Sequence, residues 1–196
     1  MILNLKTDSQ DINDDFKRIA LELMNYWILK IENSHYRITE IEFYFNSNTH
    51  NDNYTHGHEL QRKSGSWYFH GSGVDITFGN ENSYGGILIR ALYNLDSKIF
   101  TYGPIKVVTE LFSNFHSVYN NSYFFGLVED LDKLIKVENP IAAPRVGLNK
   151  TNNPEMHDKF YRYLVMPREP HAEKTNIEAA MRKQNYPELE IKNIWK

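Results

Sequence analysis

The chain has 196 residues, a net charge of −3 and no cysteine. This length suits a single domain over residues 1–196, and the lack of cysteine excludes disulfides and thiolate chemistry. The acidic balance argues against strong binding to nucleic-acid phosphates, but residues 141–196 carry ten Lys and Arg against seven Asp and Glu. The amino-terminal segment has no apolar signal core and no run reaches membrane-spanning length, so we expect a cytoplasmic protein without membrane contact.

The first part of the chain predicts a helix followed by a long strand. Apolar residues at helical spacing predict a helix that ends at about residue 30, and three residues are candidates for its cap: Asn13, Asp14 and Asp15. Residues 36–45 alternate and are rich in β-branched and aromatic side chains, which predicts a strand. The alternation places four side chains on one face, namely Ile38, Glu40, Glu42 and Tyr44. The asparagine-rich residues 46–58 predict a surface loop.

Glycine-separated apolar stretches in the middle of the chain predict an antiparallel meander or small barrel. Its strands are expected at residues 67–69, 74–78 and 87–92. Pro104 suits a first helical position and predicts a helix over residues 105–115. Further along we predict a short helix at residues 130–137 and strands at residues 143–148 and 160–166.

The carboxy-terminal part differs from the rest of the chain. Residues 174–184 have helical composition, Pro187 interrupts it, and few apolar residues follow beyond Ile191, Ile194 and Trp195. We therefore expect a C-terminal extension of about residues 170–196 that forms a docked or frayed helix.

Several motifs occur in an order that is more informative than any one of them. The chain carries a Glu-x-Glu-x-Tyr strand, an Asp-x-x-x-His loop, an aromatic strand ending in His-Gly and a Leu-Ile-Arg-Ala-Leu strand, at residues 40–44, 52–56, 67–71 and 88–92. Gly-Pro-Ile-Lys, Pro-Arg-Val-Gly and Phe-Tyr follow at residues 103–106, 144–147 and 160–161. This order, over about residues 16–165, resembles the alkyladenine (3-methyladenine) DNA glycosylase family. The resemblance implies an α+β fold with a curved, mostly antiparallel sheet or incomplete barrel flanked by helices.

The resemblance also implies an activity and a set of site residues. The expected reaction is hydrolysis of the N-glycosidic bond of alkylated or deaminated purines in damaged DNA, with no cofactor, no metal and no obligate protein partner. Glu42 would activate a water that His56 and Arg90 hold in place. The extruded base would stack on three side chains, Tyr44, His56 and Trp67. Contacts to DNA would come from His70, in place of a wedge tyrosine, and from Lys106 and Arg145.

Two departures from the family pattern indicate altered opening of duplex DNA. The family's Arg-Asn-x-x-Met-Phe stretch is missing before the aromatic strand, and His70 fills less volume than the tyrosine it replaces. A second hypothesis is therefore a glycosylase-fold protein that acts on or binds a free nucleoside, a modified single strand or another small ligand.

Two further interpretations involve the same residues. A zinc site could form from His56 and His58 together with one of several other side chains, His50, Asp52, Glu59 or His70, although this spacing is not diagnostic. Glu42 could also be a structural carboxylate that pairs with Arg90.

Overall fold

A computed structural model describes residues 2–119 and 122–196 of the chain. The helices are α1 (Ile12–Tyr26), α2 (Pro104–Phe112), α3 (Pro154–His157), α4 (Lys174–Lys183) and α5 (Glu188–Asn193). The strands are β1 (Trp27–Ile31), β2 (Ser34–Ser47), β3 (Trp67–His70), β4 (Gly73–Thr77), β5 (Ser83–Asn94), β6 (Phe100–Tyr102), β7 (Phe125–Glu129), β8 (Ile141–Ala143) and β9 (Arg162–Leu164). A short 3₁₀ helix spans Glu59–Arg62.

The strands form one antiparallel sheet that curls into a half-barrel, so the fold is α+β. The main path runs β3-β4-β5-β2-β1-β7, with β6 beside β5, and β9 between β2 and β8. The long strand β2 changes partners along its length: its first residues pair with β1, whereas residues 40–42 pair with β9. Its other edge pairs with β5 throughout. The centre of β2 therefore lies in the middle of the sheet, with a neighbour on each side.

An irregularity in β2 changes which side chains face the core. The register with β5 shifts on both sides of Glu40. Ile38, Ile41 and Phe43 all belong to the main hydrophobic core, although simple alternation would place Ile38 on the opposite face from the other two. The prediction that Ile38 shares the face of Glu42 is therefore wrong.

Helix α1 packs on the concave core. The Asp11 side chain caps it by accepting a hydrogen bond from the Asn13 backbone, and the Phe16 ring stacks on Phe43 with centroids 4.3 Å apart. The helix ends at Tyr26, not at residue 30, because β1 begins at once and pairs with both β2 and β7. The expected cap and the expected end of this helix were both wrong.

Four other predicted elements differ from the structure. Residues 130–137 form no helix, because the Asp130 carboxylate accepts hydrogen bonds from the backbones of Leu134 and Ile135 and holds an irregular turn. The strand expected at residues 143–148 ends at Ala143, since Pro144 has no amide hydrogen for a sheet. Strand β9 and helix α2 are present but shorter than predicted.

The C-terminal extension docks on β8 through a second hydrophobic cluster. Five of its fully buried members are Ile177, Ala180, Met181, Ile191 and Ile194, which come from α4, α5 and the residue after α5. The extension is therefore packed against the sheet. In the part of the chain described, none of the helices combines the length and apolar character that crossing a membrane requires.

Candidate functional site

Four of the eight predicted site residues line one pocket of 260 Å³. It lies beside β2, β4 and β5, and the loops after the strands β2 and β8 close it. Six side chains that matter for its chemistry line it, namely Tyr44, Tyr54, His56, His70, Asp75 and Arg90. Four of these were singled out in the sequence, and the fold brings them together from three separate segments.

Glu42 lies behind the pocket wall and is fully buried. Its carboxylate accepts a hydrogen bond from the Tyr44 hydroxyl at 2.8 Å, one from Arg90 Nη1 at 3.3 Å and one from the Val146 backbone at 2.7 Å. Tyr44 and Arg90 both line the pocket. Val146 lines it as well, so Glu42 is one residue away from the cavity and all three of its partners border it.

Burial raises the pKa of Glu42, against the opposing effects of Arg90, the Val146 amide and Tyr44. The same neighbourhood raises the pKa of Tyr44 well above its usual range, first by burial and then by the adjacent Glu42 charge. Tyr44 therefore remains a neutral hydroxyl donor to Glu42. A carboxylate with a raised pKa is a stronger base than a solvated glutamate.

Glu40 has the opposite environment. Its Oε1 lies 2.9 Å from both Arg90 Nε and Arg162 Nε, and its Oε2 lies 2.6 Å from His171 Nδ1. Burial opposes its ionisation, but the hydrogen bond from His171 and the charges of Arg162, His171 and Arg90 outweigh it and lower the pKa of Glu40 to about 2. Glu40 is thus a fixed anion that orients Arg90.

His171 links the C-terminal extension to this cluster. Its side chain is fully buried, and its Nε2 lies 3.1 Å from the carbonyl oxygens of Val165 and Met166. Both ring nitrogens face acceptors, so the ring donates at both positions when it carries two protons. Sequence reasoning missed His171 and Arg162, because their partner Glu40 lies more than 100 residues earlier in the chain.

The aromatic residues divide between two faces of β3. Trp67 packs against Phe125, with ring centroids 4.6 Å apart, and borders a separate cavity. Its neighbour Tyr68 lies on the other face, stacked on His58 at 4.5 Å. The structure therefore does not bring Trp67 to the pocket that Tyr44 and His56 line.

His56 and His70 form one wall of the pocket. Their rings meet edge to face, with centroids 4.4 Å apart. Burial, together with the neighbouring His70, lowers the pKa of His56, which favours a neutral ring. His70 is held at both nitrogens: Nδ1 accepts from the Ser72 backbone at 3.2 Å, and Nε2 lies 3.1 Å from Asp75. Its side chain, 8% exposed, does not project from the surface.

The other two predicted DNA contacts lie in contrasting places. Arg145 is buried, donates to both oxygens of Asp52, at 2.7 and 3.1 Å, and lies between the rings of Tyr44, Tyr54 and Tyr161. Lys106 is exposed on the first turn of α2, with its Nζ 5.2 Å from the centre of the Tyr102 ring. Only Lys106 is free to meet a phosphate.

Asp75 and Gln61 are pocket residues that sequence reasoning missed. Gln61 follows the histidine loop, in the 3₁₀ helix, and its Nε2 donates to Asp75 Oδ2 at 3.3 Å. The alternation of β4 could have shown that Asp75 faces away from its apolar neighbours, but not that its face lines a cavity.

Three of the candidate metal ligands have other partners. Asp52 pairs with Arg145, His50 packs against Phe45, and His58 stacks on Tyr68. Within residues 2–119 and 122–196, no three His, Asp or Glu side chains are arranged to hold a metal ion.

No family model matches the chain. It is similar to "Uncharacterized protein L759" of Acanthamoeba polyphaga mimivirus, with 29% identity over 203 residues that cover 84% of this chain and 93% of the relative. The similarity therefore spans most of both chains, and the relative's name gives no activity. The glycosylase resemblance remains a prediction from the motifs.

Proposed function

We propose that the protein is a monofunctional base-excision glycosylase, which hydrolyses the N-glycosidic bond of an alkylated or deaminated purine in DNA. The observation that supports this proposal most directly is the convergence of Tyr44, His56 and Arg90 on one pocket, with Glu42 directly behind two of them. The pocket volume of 260 Å³ is just below the roughly 300–1,000 Å³ typical of small-molecule sites and suits one heterocyclic base.

In the proposed reaction, Glu42 removes a proton from water as the water oxygen bonds to the anomeric carbon. The bond from that carbon to the base nitrogen breaks, and the base leaves with the electron pair. The attacking water would contact Glu42 Oε2, the same oxygen that accepts from Arg90, once the Tyr44 hydroxyl has moved off that oxygen. Arg90 would thereby keep the Glu42 carboxylate oriented toward the water, and Glu40 would keep Arg90 in position.

The aromatic wall provides the binding energy for the extruded base. Rotating a base out of a duplex costs a few kcal/mol, which stacking against aromatic rings can offset. Tyr44, Tyr54, His56 and His70 supply such rings around the cavity. Because burial and its neighbours keep His56 neutral near pH 7, its ring can lie against a base without adding charge.

The test is a comparison of wild type with Glu42→Gln on duplexes that contain hypoxanthine, ethenoadenine or a methylated purine. Abasic sites would be counted in single turnovers. Without Glu42 as the general base, release of the purine should slow by about a hundredfold or more. Because the pKa of Glu42 is raised, the wild-type rate should rise with pH through a value above 4.5.

Glu178→Gln is the matched control, since Glu178 pairs with Arg182 on the surface of α4, away from the pocket. It should release bases at the wild-type rate. Undiminished release by Glu42→Gln would contradict the proposal. Circular dichroism would establish that both variants fold.

A second candidate function, binding or hydrolysis of a free nucleoside, is favoured by one observation. Of the three residues expected to contact DNA, His70 and Arg145 are held inside by hydrogen bonds, and only Lys106 is exposed. A nucleoside hydrolase would release base from nucleosides at a rate independent of strand length. A DNA glycosylase would instead lose affinity steeply with added salt.

A further inference from the structure

Asp75 is a buried carboxylate in the pocket, and among the described residues it has no lysine or arginine to pair with. It is 3% exposed and lines the cavity. The other buried carboxylates near the site have arginine partners: Arg90 for Glu40 and Glu42, and Arg145 for Asp52. In the described chain, no Lys or Arg makes a salt bridge with Asp75, whose one ionisable partner is His70.

The hydrogen bonds of His70 indicate that its ring is neutral. Its Nδ1 accepts from the Ser72 backbone, so that nitrogen carries no proton. The proton is then on Nε2, which faces Asp75 at 3.1 Å. Gln61, the other partner of Asp75, is also neutral. The negative charge of Asp75 is thus hydrogen-bonded but not compensated by a cation.

The surroundings fix the carboxylate in place. Gln61 is 1% exposed and is itself held, since its Oε1 accepts from the His58 backbone at 3.2 Å. On the neighbouring strand, Gly86 leaves the space that the carboxylate occupies, because a Cβ there would overlap Asp75 Oδ2. Asp75 therefore cannot turn away to solvent without breaking contacts on two strands and the 3₁₀ helix.

A fixed, uncompensated carboxylate beside aromatic rings favours a positively charged ligand. Burying a charge is costly unless an opposite charge offsets it, and the faces of aromatic rings attract cations as well. Tyr44, Tyr54 and His56 line the cavity that Asp75 enters. Arg90, the cation in the wall, is already shared between Glu40 and Glu42.

We propose that Asp75 makes the pocket selective for a cationic heterocycle, such as a purine with a fixed positive charge from N-alkylation, over neutral deaminated purines. This inference rests on the proposed glycosylase function for its substrate and narrows that function to one charge class. Asp75 acts by contacting the base, and Gln61 and His70 position it.

The first test compares release of N7-methylguanine, a cationic lesion, with release of neutral hypoxanthine from otherwise identical duplexes. In Asp75→Asn, which keeps the side-chain shape, the ratio of the two single-turnover rates should fall by about tenfold or more. Asp96→Asn is the control, because Asp96 lies on an exposed turn beside His35 and its loss changes the net charge equally. That variant should keep the wild-type ratio. An unchanged ratio in Asp75→Asn would overturn the inference.

A second measurement needs no variant and no catalysis. Calorimetric titration of wild type should show that 1-methyladenosine, a cation, binds at least about tenfold more tightly than neutral adenosine. Equal affinity, or binding of neither nucleoside, would overturn the inference. If no lesion is released while cation-selective binding is observed, the glycosylase proposal fails and the charge selectivity stands.

Discussion

Two buried arginines, Arg145 and Arg90, form similar ion pairs but differ in their access to the pocket. The Arg145–Asp52 pair has no exposed side-chain surface, is bidentate and is enclosed by three tyrosine rings. Arg90 is shared between two carboxylates, and its side chain is 10% exposed, on the wall of the pocket. Both arginines occur within motifs of the glycosylase resemblance, yet only Arg90 is accessible from the cavity.

The difference indicates that the two arginines, which both contact β2, have separate roles. Arg145 anchors the loop after β8 to β2, because it also donates to the Phe43 carbonyl oxygen at 3.0 Å. That loop supplies the Val146 amide that contacts Glu42. Arg145 therefore supports the site from behind, through the backbone, whereas Arg90 supports it through a side chain that lies on the pocket wall.

Arg145→Met should have the largest effect on folding. It leaves Asp52 buried without a cation, which costs about 3–5 kcal/mol of unfolding free energy. Arg90→Met should cost less, because Glu40 keeps Arg162 and His171, but it should slow base release more than any loss of stability explains. Urea unfolding and single-turnover rates would measure both variants. Equal losses of stability would remove the distinction between the two clusters.

Glu40→Gln should sharpen the comparison through the pH dependence of stability. The pKa of Glu40 is lowered to about 2, so its contribution to stability is present above about pH 4.5 and disappears as pH falls toward 2. The shift corresponds to roughly 3 kcal/mol. The free energy of unfolding of wild type should therefore exceed that of the variant by a constant amount near neutral pH, and the two values should converge in acid. A difference that does not depend on pH would show that the charge of Glu40 is unimportant.

Lys106→Ala should have the smallest effect. The side chain is exposed and belongs to neither buried cluster, so stability should change by less than about 0.5 kcal/mol. If Lys106 meets a phosphate, the slope of log affinity for DNA against log salt should become shallower by about one. An unchanged slope in a filter-binding or fluorescence titration would exclude that contact.

Local sequence signals predicted some elements correctly, whereas other interactions overrode them elsewhere. Pro104 and the helical composition of residues 174–184 are local signals, and a helix formed at both places, although α2 ends earlier than predicted. The end of α1 and the turn after Asp130 were mispredicted, because strand pairing and one side chain's hydrogen bonds overrode helical composition. In the site, Glu42, Tyr44 and Arg90 were found by motif, whereas Asp75 and His171 were missed.

The sequence by itself determined most of the elements and the motif residues, because helical spacing, alternation and turn residues act over a few positions. It also placed Glu42 and Tyr44 on one face of one strand. Only the tertiary structure decided which charges met: it paired Arg145 with Asp52 inside the fold, brought His171 to Glu40 and left Asp75 without a cation. These outcomes depend on contacts between distant segments, and burial then makes each charge pairing, or its absence, energetically important.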